Sequence, residues 1–400
     1  MDFAGERYYN LNRILLLSLG LWPDQISTFK KVQNIFYQTL FISFLTCQCI
    51  PLFIKQYSII YICQMLSHIV ITGIFILVYN TCLLLSDNIK YIFDRVRYDW
   101  NMLQAHAELE ILRKYANEAK FHTVLAILVC TSIGLGLLII CWFPRILDVF
   151  PPMNASRPRQ ILINLEYFVD EETYFFAILM HMVLTIYAGC MTVVAIATVF
   201  LIFISHICAL FKIASYNMEH IFDKNVQLMP KDIKQSILYN NLIHAVYVHR
   251  RAMDSANFLT NSFSLFYIVL LVFSVASMSL SFYNVLNAVT SLVKVDLFMN
   301  SSMILAQLYC IFMGNYAGQN IIDSSSGISQ ATYNAQWYAA PLCMQKLILL
   351  IIQKSNKHSA LTIGVLFNVS LEGFAKVLST CISYVMVFQS VETNKESGKK

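Results

Sequence analysis

The longest apolar run of the chain extends from Tyr174 to Phe211 and contains no Asp, Glu, Lys or Arg. A transmembrane helix needs about 20 apolar residues, so this run is longer than one crossing of a bilayer requires. Lipid offers no partners for backbone N–H and C=O groups, so a run of this kind has to be helical. The sequence therefore predicts a membrane helix that protrudes from the bilayer on the side where it ends.

Six further segments are apolar and long enough to act as membrane spans. In chain order, with the run above as the fourth, the predicted spans are Asn34–Ile54, Ser58–Ser86, Phe121–Phe143, Tyr174–Phe211, Phe258–Leu286, Leu297–Tyr316 and Leu361–Val391. Hydrophobic residues make up 58% of the chain and charged residues 13%, against roughly half and a quarter in soluble domains. We expect an all-α membrane protein with seven transmembrane helices in one domain, and its net charge of +5 gives no indication of nucleic-acid binding.

The basic residues of the connecting segments predict the orientation. Most of their Lys and Arg residues fall in segments 1–33, 87–120 and 212–257. Because cytoplasmic loops are enriched in Lys and Arg, these segments are expected inside, with a cytoplasmic N-terminus. Seven spans then place the C-terminus, as an extracellular tail at 392–400, outside. Asn154 begins an Asn-Ala-Ser triplet in a loop predicted to be outside, which makes it a candidate for glycosylation.

Two segments outside the spans have a helical pattern. Ile14–Leu21 is too short to cross a bilayer and predicts an interfacial or re-entrant helix. Within 232–253, apolar residues recur on one helical face and predict a helix packed outside the membrane. That face consists of Leu238, Leu242, Ala245, Val246, His249 and Met253.

The last quarter of the chain resembles the C-terminal signature of insect odorant receptors. The matching residues are Trp337-Tyr338 with Pro341, Gln353-Lys354-Ser355, Leu361-Thr362 with Gly364, Ser370-Leu371-Glu372 with Phe374, and Ser383-Tyr384. Near the N-terminus, Asn12-Arg13 and the stretch from Leu19 to Pro23 are similar to the same family. The chain length and the seven predicted spans fit the family from end to end, although Val385–Phe388 departs from the residues that usually follow the Ser-Tyr pair.

The resemblance implies the insect odorant-receptor channel fold and a function. Such a chain is the odorant-binding subunit of a ligand-gated non-selective cation channel, not an enzyme, and it needs no cofactor or metal. It assembles with an odorant receptor co-receptor subunit into a heterotetramer around one pore, in the plasma membrane of an olfactory neuron dendrite. On this basis, residues 34–332 hold spans one to six with cytoplasmic anchor extensions. Residues 333–391 hold an anchor helix around Leu347–Ile352 and the pore-lining seventh helix.

Large soft and aromatic residues gather in the outer halves of spans two, three, four and six. The candidates for ligand contact are Tyr61, Met65, His68, Thr72, Leu135, Leu138, Trp142, Met180, Tyr187, Met303, Gln307 and Tyr309. Any one of them is more typical of helix packing or lipid contact. Together they would form an apolar pocket suited to a small volatile organic ligand. The resemblance favours this interpretation, because pockets of the family lie between these spans in the outer half of the membrane.

Hydroxyl, aromatic and small apolar residues recur at three- or four-residue steps in the last apolar run. They are Thr380, Ser383, Tyr384, Val387, Ser390 and Val391. A stripe at this spacing is usually a packing face. The resemblance implies that it lines the outer mouth of the pore, with Val387 and Val391 at a hydrophobic gate that closes by dewetting.

Other functions have weaker support in the sequence. Asp94-Arg95-Val96-Arg97-Tyr98 resembles the switch of G-protein-coupled receptors, but it follows the second span and is better interpreted as a basic cytoplasmic flank. A gustatory-type receptor channel has the same architecture and stays open as an alternative. A transporter is disfavoured because no inverted repeat is visible. Glu372 and Lys376 are four residues apart, so we expect a salt bridge, with a role in the inner pore vestibule as the second interpretation.

Overall fold

The computed structural model describes residues 5–25, 27–54, 58–149, 163–222, 230–291, 294–335, 337–356, 359–364 and 367–397. Its helices are α1 (Glu6–Ser18), α2 (Thr28–Cys49), α3 (Pro51–Ile54), α4 (Ile59–Leu84), α5 (Ser86–Met102), α6 (His106–Val149), α7 (Phe175–Glu219), α8 (Lys231–Ser291), α9 (Lys294–Asn334), α10 (Leu342–Ser355) and α11 (Leu371–Ser397), with a 3-10 turn at Trp337–Ala339. Two short strands, β1 (Thr362–Ile363) and β2 (Phe367–Asn368), form an antiparallel pair before α11.

Seven of the described helices are long and apolar enough to cross a membrane, which confirms the predicted number of spans. They are α2 (continued by α3), α4, α6, α7, α8, α9 and α11. Helix α7 lies at the centre of the bundle, because 67% of its most apolar window is buried, against 17% to 33% in the other six. The chain is therefore a multi-pass membrane protein organised around α7.

Several spans extend far beyond the length of a bilayer crossing. Helix α7 has 45 residues and α8 has 61, which at 1.5 Å per residue is about 70 Å and 90 Å. The hydrocarbon core is only about 30 Å thick. The start of α6, the end of α7, the start of α8 and the end of α9 meet at one end of the bundle, which we call the extension end. The opposite end, where α8 gives way to α9, we call the loop end.

A helix is present where the segment Ile14–Leu21 predicts one, but it begins earlier, at Glu6, and ends at Ser18. Helix α1 packs against α6 and α7, and Leu16 is fully buried. After α1 the chain turns at Gly20, whose positive φ of 69° lets Leu21 N–H bond to Leu16 C=O at 2.8 Å and Gly20 N–H bond to Leu17 C=O. That turn buries Leu21 and Trp22 in the same core, whereas Ile14 stays 52% exposed.

The seventh span begins ten residues later than the apolar run at Leu361 predicts, because the β1–β2 hairpin occupies the first part of that run. Gly364 has a positive φ of 60°, which a continuing helix does not allow. Ser370 then caps α11, since its Oγ accepts a hydrogen bond from Gly373 N–H at 3.2 Å. A hydropathy pattern does not separate a short apolar hairpin from the helix that follows it.

The amphipathic segment 232–253 is helical and packed, but it is continuous with the fifth span within α8. Leu238, Leu242, Ala245 and His249 are buried. The prediction was wrong for Val246, which is 38% exposed, because the buried face follows the steps from 238 through 242 and 245 to 249.

Candidate functional site

Helix α11 has one packed face and one open face within the chain. Val377, Cys381 and Val385 are buried, and α11 packs there against α8 and α9. Phe388 continues this face, with its ring 6.0 Å from the ring of Tyr283. The residues on the other side of α11 are exposed within the described part of the chain.

The described part of the predicted pore stripe lies on the open face of α11. Thr380, Ser383 and Ser390 are exposed, Tyr384 is 52% exposed and Val387 is 54% exposed. The hydroxyls of Thr380, Ser383 and Ser390 bond back to carbonyls of their own helix. The backbone of Val391 lies in α11, and its side chain is outside the described part of the structure.

Glu372 and Lys376 form the expected salt bridge at the start of α11. Glu372 Oε1 lies 2.7 Å from Lys376 Nζ, and both side chains are largely exposed. Solvent around the pair screens the attraction.

Three of the candidate ligand residues lie together on the buried side of α4. Met65, His68 and Thr72 are at most 8% exposed. Met65 and His68 line a cavity with Gln48, Gln64, Ile163 and Asn164, near the loop end of α2 and α4. His68 Nδ1 donates to the carbonyl of Gln64 at 2.8 Å, and Thr72 Oγ1 donates to Gln48 Oε1 at 2.9 Å. The cavity is therefore lined by polar groups as well as apolar ones.

The other candidate ligand residues are dispersed. Leu138 and Met303 are partly buried, as is Gln307, which donates from Nε2 to Ser277 Oγ at 3.1 Å. Tyr61, Leu135, Met180, Tyr187 and Tyr309 are 36% to 60% exposed on the outer surface of this single chain. Trp142 lies in α6, but its side chain is outside the described part of the structure, and Asn154 lies outside the described residues altogether.

Sequence analysis missed a hydrogen-bonded chain that fastens the loop before α7. Tyr167 Oη and His181 Nδ1 are 2.6 Å apart, and His181 Nε2 is 3.0 Å from Ser43 Oγ. Ser43 already donates its hydrogen to Leu40 C=O, so its oxygen accepts from His181 Nε2–H, and Tyr167 donates to Nδ1. The lone Tyr167 in a polar loop gave no periodic signal from which this contact could be found.

A buried ionic cluster joins three helices at the extension end. Asp99, at the end of α5, is fully buried, and its two oxygens pair with His206 of α7 at 2.8 Å and with Arg251 of α8. Arg95 also donates to Ser255 Oγ at 2.9 Å and to the Arg251 carbonyl. The basic flank in the sequence is thus a set of structural contacts, and only part of it faces solvent.

A second polar contact at the extension end joins α6, α7 and α8. Glu108 Oε1 accepts hydrogen bonds from His244 Nε2 and from Asn217 Nδ2, both at 2.7 Å. These residues lie in the extensions, outside the membrane-crossing segments. Burial alone would raise the pKa of Glu108, but the bonds from His244 and Asn217 outweigh it and lower that pKa. The bond to Glu108 in turn raises the pKa of His244.

Seven spanning helices, long extensions at one end and a closing helix with one open face define a helical multi-pass membrane protein. The model of the 7tm Odorant receptor family matches residues 87–382 of this chain. That match covers most of the chain, and the chain belongs to this family.

Proteins of similar sequence are odorant receptors as well. Odorant receptor 47a of Drosophila melanogaster is 25% identical over 207 residues, which cover 49% of each chain. Odorant receptor 22c of the same species is 26% identical over 189 residues, or 46% of each chain. The chain thus matches about half the length of these Drosophila relatives. The odorant receptor coreceptor of Aedes aegypti is 31% identical over 80 residues, covering 20% of this chain and 16% of the coreceptor.

Solved structures show the same fold. The structure of the insect olfactory receptor OR5 from Machilis hrabei in complex with eugenol has a TM-score of 0.72, with 14% identity, and covers 96% of this chain and 98% of that one. A second structure of OR5 has a TM-score of 0.63. At this identity the likeness concerns the fold alone.

Proposed function

We propose that this chain is the odorant-binding subunit of a ligand-gated, non-selective cation channel that opens when a small volatile organic ligand binds. The protein acts in the plasma membrane of olfactory neurons, with its N-terminus in the cytoplasm and Asn154 as a glycosylation candidate outside. The observation that carries the proposal is the open face of α11, which bears Thr380, Ser383, Tyr384, Val387 and Ser390. Four hydroxyl groups on one transmembrane face, those of Thr380, Ser383, Tyr384 and Ser390, suit a water-filled path between subunits better than lipid.

A partner subunit is needed to complete that path. One α11 helix encloses nothing by itself, so a pore requires several copies around an axis. The local similarity to an odorant receptor coreceptor supports a co-receptor subunit as the partner in a heterotetramer. Helix α10 supports the same assembly, because it packs by Met344 and Ile348 and leaves Leu342 75% and Leu350 60% exposed. A neighbouring subunit at the extension end would cover this apolar surface.

We propose that the ligand binds at the loop end, among the candidate residues on α4, α6, α7 and α9. The ligand shifts the equilibrium toward the open channel only if it binds the open state more tightly than the closed state. On this basis Trp142→Ala should change ligand potency and leave currents evoked by a co-receptor agonist intact. Equal loss of both currents would make Trp142 a structural residue.

The direct test is whole-cell current from cells that express this chain alone or with an insect odorant receptor co-receptor, against a panel of volatiles. We expect a volatile-evoked cation current only with the co-receptor, and we expect it to persist when G-protein signalling is blocked. Current that requires a G protein would instead support a seven-span receptor of that class. Absence of current in every pairing, with the protein at the cell surface, would overturn the channel proposal. Current from this chain without the co-receptor would favour a gustatory-type channel.

Cysteine accessibility tests the role of α11 separately. Val387→Cys lies on the open face and should react with a charged, membrane-impermeant thiol reagent, with a change in current. Val385→Cys lies on the packed face and serves as the matched control, which should not respond. The unsubstituted chain reports any reaction at native cysteines such as Cys310 and Cys343, which are exposed. Equal reactivity at positions 385 and 387 would contradict the proposal that the open face of α11 lines the pore.

A further inference from the structure

Four polar side chains of α8 and α9 each have a buried oxygen atom without a hydrogen-bond partner within the described part of the chain. These atoms are Ser281 Oγ, Asn284 Oδ1, Asn300 Oδ1 and Gln307 Oε1. Ser281 is 0%, Asn300 2% and Asn284 5% exposed. Unpaired polar groups are unfavourable in a protein core and more so within a membrane, where water is scarce. Four of them along two adjacent helices indicate a site that another molecule completes.

The helix register brings these atoms together. Gln307 Nε2 donates to Ser277 Oγ at 3.1 Å, which sets one level at which α8 and α9 meet. Asn284 lies seven residues after Ser277, and Asn300 lies seven residues before Gln307. The helices run in opposite directions, and seven residues are two helical turns, so Asn284 and Asn300 share a second level about 10 Å nearer the loop end. Ser281 lies between the two levels.

Helix α4 forms the third wall of this site. Asn284 Nδ2 donates to Ser67 Oγ at 3.3 Å, and Ser67 is fully buried. Large side chains adjoin it, since Tyr283 is 1% and Leu280 8% exposed. The site therefore combines a few polar atoms with apolar walls, which is the composition of small-molecule sites in general.

The three unpaired amide oxygens are hydrogen-bond acceptors, whereas the Ser281 hydroxyl can accept or donate. Asn300 Nδ2 donates to the carbonyl of Asp296 at 2.8 Å, and a carbonyl can only accept. This bond fixes the orientation of the Asn300 amide and leaves Oδ1 free. Asn284 and Gln307 also use their nitrogens as donors and keep their oxygens unpaired. A molecule that completes the site has to supply O–H or N–H groups.

We propose that α4, α8 and α9 enclose a polar subsite that selects volatiles bearing a hydroxyl group, with Asn284 and Asn300 as its specificity-determining residues. The proposal rests on the proposed function in taking a volatile as the ligand, but binding at the subsite does not require a channel. An alcohol donates its O–H to the unpaired amide oxygens. The methyl ether of the same skeleton has no donor and leaves those oxygens unpaired, so the site rejects it.

The test measures binding by thermal stabilisation of the purified full-length chain. The probes are matched pairs of increasing size: benzyl alcohol, 2-phenylethanol and 1-hexanol, each against its methyl ether. We expect at least one alcohol to bind roughly tenfold more tightly than its ether, as one neutral hydrogen bond allows. Equal affinity within every pair, or no binding by any probe, would overturn the proposal.

Substitutions at Asn284 and Asn300 test whether these residues cause the preference for alcohols. Asn284→Leu and Asn300→Leu keep the side-chain size and remove the acceptor, so each should weaken alcohol binding and leave ether binding unchanged. Asn241→Leu, an exposed position of α8, is the matched control and should retain the preference. Unchanged alcohol preference in both site variants would mean that the unpaired atoms hold only water. If one variant fails to fold, the other and the unsubstituted chain still decide the question.

Recordings separate this inference from the channel proposal. Alcohol-selective binding without evoked current would support the proposed subsite and contradict the channel proposal. Evoked current with equal potency of each alcohol and its ether would support the channel proposal and contradict the proposed subsite.

Discussion

The carboxylate of Asp99 and the amides of Asn284 and Asn300 lie toward opposite ends of the bundle and differ in how their oxygen atoms are paired. At the extension end, both oxygens of Asp99 are paired, one with His206 and one with Arg251. At the loop end, Asn284 and Asn300 each keep a buried oxygen unpaired within the described part of the chain. A buried carboxylate with both oxygens paired favours one arrangement of the helices, whereas an unpaired amide oxygen is stabilised when a hydrogen-bond donor binds to it. We infer that the paired carboxylate stabilises the helix packing at the extension end, and that the unpaired amide oxygens provide hydrogen-bonding sites for a ligand at the loop end.

The largest expected effect comes from Asp99→Asn at the extension end. The substitution leaves the partly buried Arg251 charge without its carboxylate, and breaking an ion pair whose Asp99 is fully buried costs about 3–5 kcal/mol. The measurement is the melting temperature of the detergent-solubilised chain. Asp94→Asn is the matched control on the same helix, because Asp94 is 48% exposed and lies 3.8 Å from Arg97. Equal losses in the two variants would show that the Asp99 cluster is not what holds the extension end together.

A smaller effect is expected where the hairpin meets α9. A Cβ added at Gly318 would collide with the carbonyl oxygen and side chain of Val369, just before α11. Gly318→Ala should therefore push the start of α11 away and destabilise the chain by about 1–3 kcal/mol, as overpacking does. It should also alter channel opening. Gly327→Ala in the same helix is the control, since its nearest neighbour, Ser215 Oγ, would lie 4.0 Å away. A melting temperature for Gly318→Ala no lower than that of the control would contradict the close packing.

The contact of Glu108 with His244 predicts a pH dependence confined to the extension end. Folding raises the pKa of His244 above its ordinary value of 6.5, so the stabilisation is complete below that pH and is lost as the pH rises through the folded value. Folding lowers the pKa of Glu108, so its own contribution is lost only as the pH falls into the acidic range. We expect the melting temperature to decrease from pH 6.5 toward mildly alkaline pH. The variant His244→Gln should lack this decrease, and the same slope in both proteins would refute the assignment.

The smallest effect is expected for Glu372→Gln at the start of α11. The pair with Lys376 is exposed on both sides, so water screens it and little stability depends on it. We expect a melting temperature indistinguishable from that of the unsubstituted chain. A clear drop would mean that a neighbouring subunit buries the pair in the assembled channel, which measurement of the chain alone and with the co-receptor would distinguish.

The sequence predicted the elements that depend on long-range hydropathy and failed where a contact depends on single atoms. Seven spans and the protruding fourth helix follow from the length of apolar runs, which lipid makes decisive. The packing of α1 and the hairpin before α11 depend on Gly20, Gly364 and Ser370, whose effect is local. The pairing of Asp99 with Arg251 joins residues 152 positions apart, and periodicity carries no information about such a pair.

The candidate site was predictable in outline only. The stripe from Thr380 to Ser390 has helical spacing, and its described members lie on the open face of α11. The acceptors at Ser281, Asn284 and Asn300 were not visible as a site, because each is a single polar residue in an apolar span. Their relation comes from the antiparallel register of α8 and α9, which the contact of Gln307 with Ser277 defines.

Helix α8 runs without interruption from the extension end to the loop end, over 61 residues. It carries Arg251 of the ionic cluster about one third of the way along its length and Asn284 of the polar subsite near its last residues. At 1.5 Å per residue, the 33 positions from Arg251 to Asn284 correspond to about 50 Å of helix. One continuous helix therefore connects the ionic cluster with the proposed subsite, and no loop of the described chain lies between them.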